Sequence, residues 1–170
     1  MALKIQQTPD MPKKSHPIVS LGAGGIVRDA HLPAYQKAGF EVVGMFDLDK
    51  NRASALAKKY DIKQVFSTLQ EAINAAPQNV VFDVAVPASA IMDILPHLPK
   101  GATVLIQKPL GSNLKEAKAI LNLCRKKQFT AAVNFQMRYA PYVLAAKSLI
   151  EQGAIGEVHD MEVRLTVNTP

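Results

Sequence analysis

The sequence contains a single cysteine, Cys124, among its 170 residues. A disulfide within the chain is therefore excluded, and this composition is typical of a protein from a reducing compartment. No apolar run approaches the roughly 20 residues that span a bilayer. Residues 1–16 carry Lys4, Asp10 and two prolines where a signal peptide would need an apolar core. We therefore expect a flexible N-terminal tail and a cytoplasmic protein.

Clustered positive charge is also lacking, although the formal net charge is +6. The basic residues stand in scattered pairs and triplets, at Lys13-Lys14, Lys58-Lys59 and Arg125-Lys126-Lys127. Because aromatic side chains are not interleaved with them, a solvated surface is favoured over a face that binds nucleic acid. We assign no metal ligands. At 48% hydrophobic residues, the chain can bury a core on the scale of one domain.

The sequence does contain a strand, a glycine cluster, a helix and a second strand in direct succession over residues 18–47. The first apolar run ends in the glycines, and the second closes on an acidic residue. These are the parts of a dinucleotide-binding βαβ unit. A glycine triplet alone also fits an ordinary strand-to-helix turn, so the acid at the expected distance decides in favour of the unit. The residues in question are Gly22, Gly24, Gly25 and Asp47.

Each residue of this unit has a predicted chemical role. Gly22 permits a tight exit from the strand, and Gly24 lets backbone N–H groups approach a pyrophosphate, which the helix N-terminus also attracts. Asp47 is placed to accept hydrogen bonds from both hydroxyls of the adenosine ribose. It would repel a 2′-phosphate, so NAD is favoured over NADP, and Arg52 is the residue that softens this preference. Val27 occupies the third glycine position, so we expect helix and strand to pack slightly further apart.

Strand and helix patterns then alternate, which predicts an α/β fold with a doubly wound parallel sheet. Further strands are predicted at residues 64–66, 80–86, 103–106 and 130–133. Helix caps are predicted at Asp49, at Thr68 with Glu71, and at Asn113 with Glu116.

Pro33 predicts a break in the first helix, because proline lacks an N–H and clashes with the preceding turn. We expect one short helix over residues 25–30 and another beginning near Pro33. His31 lies at this joint and is interpreted as a side chain that fills it, not as a catalyst. Pro87 ends the fourth strand. Cys124 falls on the inner face of a later helix and is interpreted as a core residue.

The last part of the chain follows a different pattern. Pro141 begins a helix that Gly153 ends, and this helix carries Tyr142, Ala145, Ala146 and Leu149. A period of two then predicts a half-buried antiparallel strand with apolar residues at Met161, Val163, Leu165 and Val167. An exposed strand edge with one apolar face favours pairing with a second copy. We therefore predict a homodimer that uses residues 157–168.

Five segments in order, GAGGIVRDAHLPAY, VGMFDLD, QKPLG, NFQMRYAP and IEQGAIGEV, resemble the Gfo/Idh/MocA oxidoreductases over about residues 17–168. The resemblance implies an N-terminal Rossmann domain followed by a domain built on an open, mostly antiparallel sheet. It also implies oxidation or reduction of a sugar, a polyol or a related hydroxyl compound with NAD(P), and assembly as dimers or tetramers.

The resemblance also implies roles for individual residues. It puts Gly22, Gly24 and Ile26 at the pyrophosphate turn and Asp47 on the adenosine ribose. Lys108 and Pro109 match a Glu-Lys-Pro motif whose lysine reaches the reacting hydroxyl or carbonyl. Partial desolvation near an oxidised nicotinamide would lower the pKa of that lysine and ready it for proton transfer. The peptide bond before Pro109 is a candidate for the cis form.

Gln107 departs from the motif, because glutamate is usual there and glutamine keeps the hydrogen-bonding reach without the charge. Asn134 and Arg138 match the segment that lines the nicotinamide end, although Arg138 fits a domain interface equally well. The set of predicted cofactor residues is completed by Gly25, Arg52, Pro87, Gln107 and Pro109.

We divide the chain into a tail (1–16), an NAD(P)-binding Rossmann domain (17–138), and a connecting helix with the first strand of a truncated second domain (139–170). The family's Asp and His dyad would lie beyond this segment, so the chain is either a fragment or a natural short relic. We expect a small hydroxyl or carbonyl substrate and little or no turnover by these residues alone. A non-catalytic NAD-binding regulator remains the alternative. A Rossmann enzyme of the aspartate-semialdehyde type is a weaker alternative, because the sequence has no well-placed cysteine nucleophile.

Overall fold

A computed structural model describes residues 3–166 of the chain. These residues form two units, one of residues 12–135 and the other of residues 3–11 together with 136–166.

Six parallel strands form the centre of the unit of residues 12–135. They are β1 (Ile18–Leu21), β2 (Val42–Phe46), β3 (Gln64–Phe66), β4 (Val81–Val84), β5 (Thr103–Ile106) and β6 (Thr130–Val133). Their order in the sheet is β3-β2-β1-β4-β5-β6, and all five pairs are parallel. The order reverses at β1, so the carboxyl ends of β1 and β4 flank the crevice where such sheets bind ligands. The predicted doubly wound parallel sheet is confirmed.

Helices cover both faces of this sheet. They are α1 (Leu32–Ala38), α2 (Lys50–Tyr60), α3 (Leu69–Asn74), α4 (Ile91–Ile94) and α5 (Leu114–Lys126). The predicted caps are confirmed, because the side chains of Asp49, Thr68 and Asn113 accept hydrogen bonds from backbone N–H groups in the first turns of α2, α3 and α5. These local hydrogen bonds explain why each helix begins where it does.

The two faces of the sheet carry different cores. Under α3, α4 and α5 lies a continuous apolar cluster that includes Leu21, Phe82 and Ile106. Under α1 and α2 lies a smaller cluster in which Val27 is fully buried. Four members of this second cluster are alanines, so small side chains surround the valine at the third glycine position; they are Ala23, Ala53, Ala57 and Ala85.

The predicted break in the first helix is a wider turn in the structure. Residues 25–38 are helical throughout, and Val27–His31 form a π-helical turn that leads directly into α1. Leu32 N–H donates to the carbonyl of Val27, five residues back. The next residue, Pro33, falls in the first turn of α1, where its missing N–H costs no helical hydrogen bond. The hydrogen-bond pattern therefore changes from π-helical to α-helical at His31, and the helix continues.

The other unit contains α6 (Pro141–Glu151), which begins at the predicted proline. Tyr142 is 59% exposed and Ala146 is also exposed, whereas Ser148 is buried. The residues of the expected tail supply the reason: Gln6 N–H donates to Ser148 Oγ (3.2 Å). Lys4 N–H donates to Gln152 Oε1 (3.1 Å), and Gln152 Nε2 donates back to the carbonyl of Lys4 (2.8 Å). A polar face of α6 is thus the one that contacts other residues of this unit.

The strand predicted after α6 is not formed over residues 157–166. Its apolar residues Met161, Val163 and Leu165 are 66–77% exposed. A strand requires hydrogen bonds to a neighbouring strand, and none of residues 3–166 pairs with this segment. Val167 and Asn168, which end the predicted dimer segment, lie outside the described residues. Over residues 3–166, every helix is too short or too polar to traverse a lipid bilayer.

Candidate functional site

The carboxyl ends of the parallel strands bring most of the predicted site residues to one edge of the sheet. Each of these residues directly follows a strand, and strands that run in parallel end on the same side. Along this edge the structure places the glycine turn after β1, Asp47 after β2, Pro87 shortly after β4, Gln107–Pro109 after β5 and Asn134 after β6.

Gly22 is required by the packing of β1 against β4. Its φ is +120°, and a Cβ at this position would lie 2.3 Å from the carbonyl oxygen of Ala85. Its N–H donates to the carbonyl of Phe46 (2.7 Å), which ties the turn to the end of β2. Only glycine meets both the backbone angle and the close approach.

Gly24 and Gly25 are open to the site for a different reason. A Cβ on Gly24 would meet no atom within 4 Å, so the fold does not require glycine here. Ile26 follows with a 39% exposed side chain and begins the π-helical turn. The first N–H groups of a helix lack intrahelical acceptors and attract anions. The turn therefore presents unobstructed backbone donors of the kind that bind a pyrophosphate.

Asp47 is held in place by two backbone donors. Its Oδ2 accepts from Ala23 N–H (2.7 Å) in the glycine turn, and its Oδ1 accepts from Asp49 N–H (2.8 Å). The carboxylate borders a cavity of about 480 Å³. Apolar side chains dominate the walls, among them Phe46, Leu69, Val86, Pro87 and Ile94. A fixed acceptor beside an apolar cavity suits a flat heterocycle that carries a sugar.

Two arginines stand near the glycine turn, and both already have acidic partners. Arg28 lines a second cavity, of about 400 Å³, with Gly24 and Gly25, and its Nε lies 2.7 Å from Asp29 Oδ1. The hydrogen bond between them raises the pKa of Arg28 and lowers the pKa of Asp29, so both remain charged. Arg52 lines both cavities, and its Nη2 lies 3.5 Å from Asp49 Oδ2.

The segment after β5 combines a buried residue with an exposed one. Gln107 is 8% exposed; its N–H donates to the carbonyl of Val84 (3.0 Å), and its Oε1 accepts from Lys108 N–H (3.1 Å). The peptide bond between Lys108 and Pro109 is cis, as the sequence suggested. The side chain of Lys108 is exposed, which differs from the expected partial desolvation. Residues 3–166 leave this lysine uncovered, so any desolvation has to come from a ligand or another chain segment.

A buried polar cluster on the α1 side of the sheet was missed by sequence reasoning. Asp83 is fully buried in β4, and its Oδ2 receives both His31 Nδ1 (2.7 Å) and the hydroxyl of Tyr35 (3.0 Å). His31 Nε2 lies 3.1 Å from Asn134 Nδ2. Burial, reinforced by the charge of Asp83, raises the pKa of Tyr35, which therefore remains a donor. The available signal was Asp83 itself, the sole interruption of an apolar strand.

Two further predicted residues belong to other parts of the chain. Arg138 belongs to the other unit, on an exposed 3₁₀ turn over Gln136–Tyr139. Cys124 is 8% exposed inside the apolar cluster of α5, and burial raises the pKa of its thiol. The prediction that Cys124 is a core residue is confirmed.

Comparison with known proteins gives a consistent picture. Residues 17–135 match the family model GFO_IDH_MocA, described as "Oxidoreductase family, NAD-binding Rossmann fold". The chain is 33% identical over 137 residues to the uncharacterized protein YMR315W of Saccharomyces cerevisiae, covering 78% of this chain and 39% of that protein. It is 30% identical over 151 residues to glucose-6-phosphate 3-dehydrogenase of Bacillus subtilis, covering 88% and 42%.

Among solved structures, the fold is similar to that of an oxidoreductase from Agrobacterium radiobacter in complex with NAD+, L-tartaric acid and magnesium. The TM-score is 0.71 at 21% identity, with 85% of this chain and 42% of that chain covered. The chain thus spans about two fifths of the length of the proteins that it matches.

Proposed function

The chain belongs to the Gfo/Idh/MocA family of oxidoreductases, and from that membership we propose that it is the cofactor-binding part of an NAD-dependent dehydrogenase. The observation that carries the proposal is the fixed carboxylate of Asp47 beside an apolar cavity and an open glycine turn. The three features suit, in order, the ribose, the adenine and the pyrophosphate of a dinucleotide. They lie on neighbouring strands, as one extended ligand requires.

The charges around the glycine turn support NAD over NADP. Asp47 would meet the 2′-phosphate of NADP with a like charge. Arg28 and Arg52 already face the carboxylates of Asp29 and Asp49, which offset the positive charge that they would offer to that phosphate. The ribose hydroxyls of NAD, in contrast, find the free lone pairs of a carboxylate that is already oriented.

Bound nicotinamide would supply a centre that accepts or donates hydride. The role of Lys108 would be to hold or move a proton at the substrate oxygen, because its ammonium is the titratable group that follows β5 at this edge. The substrate class we propose is a sugar, a polyol or a related compound with a CH–OH or carbonyl group. The similarity to glucose-6-phosphate 3-dehydrogenase supports this class.

We propose that residues 17–138 form the cofactor domain and that residues 139–170 begin a second one. Because Lys108 is exposed, water would reach the reacting atoms, and turnover by residues 1–170 alone would be poor or absent. The solitary Cys124 fits a cytoplasmic location.

A regulator that binds NAD without catalysis is the second candidate. The observation that favours it is Gln107, which is buried, carries no charge and accepts a hydrogen bond from the adjacent Lys108 N–H. Dehydrogenase activity in the presence of a complete substrate domain would contradict it.

The test of the proposed function is calorimetric titration of NAD and then NADP into the chain. We expect NAD to bind, and NADP to bind at least about tenfold more weakly because of like-charge repulsion at Asp47. Asp47→Ala should weaken NAD binding by roughly 30-fold, through loss of charge-assisted hydrogen bonds to the ribose. Asp61→Asn is the control, because that exposed carboxylate pairs with Lys63, lines neither of the two cavities described above, and has a positive φ that asparagine tolerates.

Failure of both dinucleotides to bind would contradict the proposal. Equal affinities for NAD and NADP would leave the cofactor domain in place and contradict the role given to Asp47.

We also propose that the chain forms a homodimer through residues 157–168. The exposed apolar side chains of Met161, Val163 and Leu165 support it, since a neighbouring strand would cover them. Light scattering should give the mass of two chains, and Val163→Lys should give the mass of one, with Arg164→Gln as control. A single-chain mass at high concentration would rule the dimer out.

A further inference from the structure

The starting point is a buried carboxylate with an uneven set of partners. Asp83 is fully buried in β4; its Oδ2 accepts from the Tyr35 hydroxyl and lies 2.7 Å from His31 Nδ1. Its Oδ1 is buried without a hydrogen bond among residues 3–166. A buried carboxylate is costly unless it is satisfied, so the contact with His31 is a strong constraint on that ring.

This contact fixes which ring nitrogen of His31 carries the proton. An ionised carboxylate only accepts hydrogen bonds, so the Nδ1 that lies 2.7 Å from Asp83 is protonated. In the neutral imidazole, Nε2 is then a lone pair and can only accept. Asn134 meets it with its Nδ2, the donor end of the amide, at 3.1 Å. The reverse orientation would set two acceptors against each other.

The orientation of Asn134 therefore has a consequence at the sheet edge. With its NH₂ group on His31, its carbonyl Oδ1 points away from the ring, and no hydrogen bond from residues 3–166 reaches that oxygen. Asn134 follows the edge strand β6, yet the contact with His31 brings its amide toward Asp83 on β4, the strand beside β1. The half-buried amide thus offers an acceptor that follows β6, and in the strand order β6 and the strand before Asp47, β2, lie on opposite sides of β1.

We infer that Asp83 and His31 are positioning residues that hold the amide of Asn134 so that its carbonyl accepts a hydrogen bond from the carboxamide NH₂ of the nicotinamide. The inference rests on the proposed function. If the adenosine half lies at the end of β2 beside Asp47, the other half of the dinucleotide extends past β1 toward β4, β5 and β6, the side of the sheet on which Asn134 lies. An acceptor selects a ligand with a donor at that point.

The first experiment compares three ligands by calorimetry: NAD, nicotinic acid adenine dinucleotide and ADP-ribose. In the second ligand a carboxylate replaces the carboxamide. It offers no hydrogen-bond donor to Asn134, and its negative charge repels the Asn134 carbonyl oxygen. The third lacks the ring. We expect NAD to bind roughly tenfold tighter than the acid analogue, the value of about one hydrogen bond.

Variants separate the relay from the rest of the site. His31→Leu and Asn134→Leu should bring the preference for NAD over the acid analogue to within about twofold, with ADP-ribose binding unchanged. His31→Gln retains one donor and one acceptor and should restore part of the preference. His97→Leu, at an exposed histidine in the 3₁₀ turn Leu95–His97, is the matched control and should keep it in full.

A second readout needs neither a ligand nor a substituted chain. Long-range ¹H–¹⁵N correlation spectra of the wild-type chain report the tautomer of each imidazole, and His31 should show protonated Nδ1 with unprotonated Nε2. A His31 ring protonated at both nitrogens at neutral pH would overturn the inference, because Asn134 would then present its oxygen to the ring.

The binding outcomes are separable as well. Equal affinity of the wild-type chain for NAD and the acid analogue, with ADP-ribose bound, overturns the relay and leaves the proposed function standing. Absence of binding by all three ligands overturns the proposed function and the relay together.

Discussion

The two halves of the sheet edge differ in how completely the chain builds them. On the β1–β2 side, Asp47 is tied to two backbone N–H groups and borders a walled cavity. On the β5–β6 side, Gln107 is buried but the side chain of Lys108 stands in solvent. The groups proposed to bind the cofactor are thus completed by residues of the same unit, whereas the lysine proposed for proton transfer is left exposed by residues 3–166.

The largest effect is expected where the β1 turn meets β4. Gly22→Ala should lower the free energy of unfolding by about 3 kcal/mol or more, because the new Cβ would strike the Ala85 carbonyl at a disallowed φ. Gly24→Ala is the matched substitution and should leave stability within about 0.5 kcal/mol while weakening NAD binding. Urea denaturation and calorimetry measure the two quantities. Equal stabilities of the two variants would show that the close contact with the Ala85 carbonyl does not require glycine at position 22.

A smaller effect is expected on the β5 side. Lys108→Met should change the affinity for NAD by less than about twofold, because an exposed ammonium outside the ribose and pyrophosphate subsites contributes little to the binding free energy. Lys118→Met, on α5, serves as the control, and calorimetry measures both. A loss of affinity as large as that expected for Asp47→Ala would contradict the proposed separation of cofactor binding, on the β1–β2 side, from proton transfer, on the β5–β6 side.

The smallest effect concerns the loop that follows Lys108. Glu116 Oε2 accepts from Ser112 N–H (2.7 Å), and this hydrogen bond lowers the pKa of Glu116 below its ordinary value of 4.5. Its stabilisation is therefore present above the ordinary pKa and is lost as pH falls through the lowered one. Glu116→Gln should have a slightly lower urea midpoint than the wild type at pH 7, and the difference should vanish at low pH.

A difference between Glu116→Gln and wild type that grows on acidification would contradict the sign of this pKa shift.

Local patterns predicted much of this molecule. The caps at Asp49, Thr68 and Asn113 are each completed within three residues, so sequence spacing contains the whole interaction. The six strands were predicted for the same reason, since apolar runs bounded by glycine or proline have few other solutions. The family resemblance added the roles of Lys108 and Asn134, which spacing alone does not supply.

Long-range polar contacts were beyond such patterns. His31 is 52 residues from Asp83 and 103 from Asn134, so its partners depend on the strand order. Ser148 is buried in α6 because Gln6, 142 residues away, donates to it. The strand predicted at residues 157–166 needs a partner strand, which a period of two cannot provide.

The two hydrogen bonds to Asp47 also shape the thermodynamics of whatever binds beside it. A free aspartate loses rotational freedom when a ligand immobilises it, at about 0.5–1.5 kcal/mol for an interface side chain. Here Ala23 and Asp49 have already removed that freedom during folding. The conformational entropy of this acceptor is therefore lost when the chain folds. A ribose that binds at Asp47 would immobilise a side chain that is already fixed.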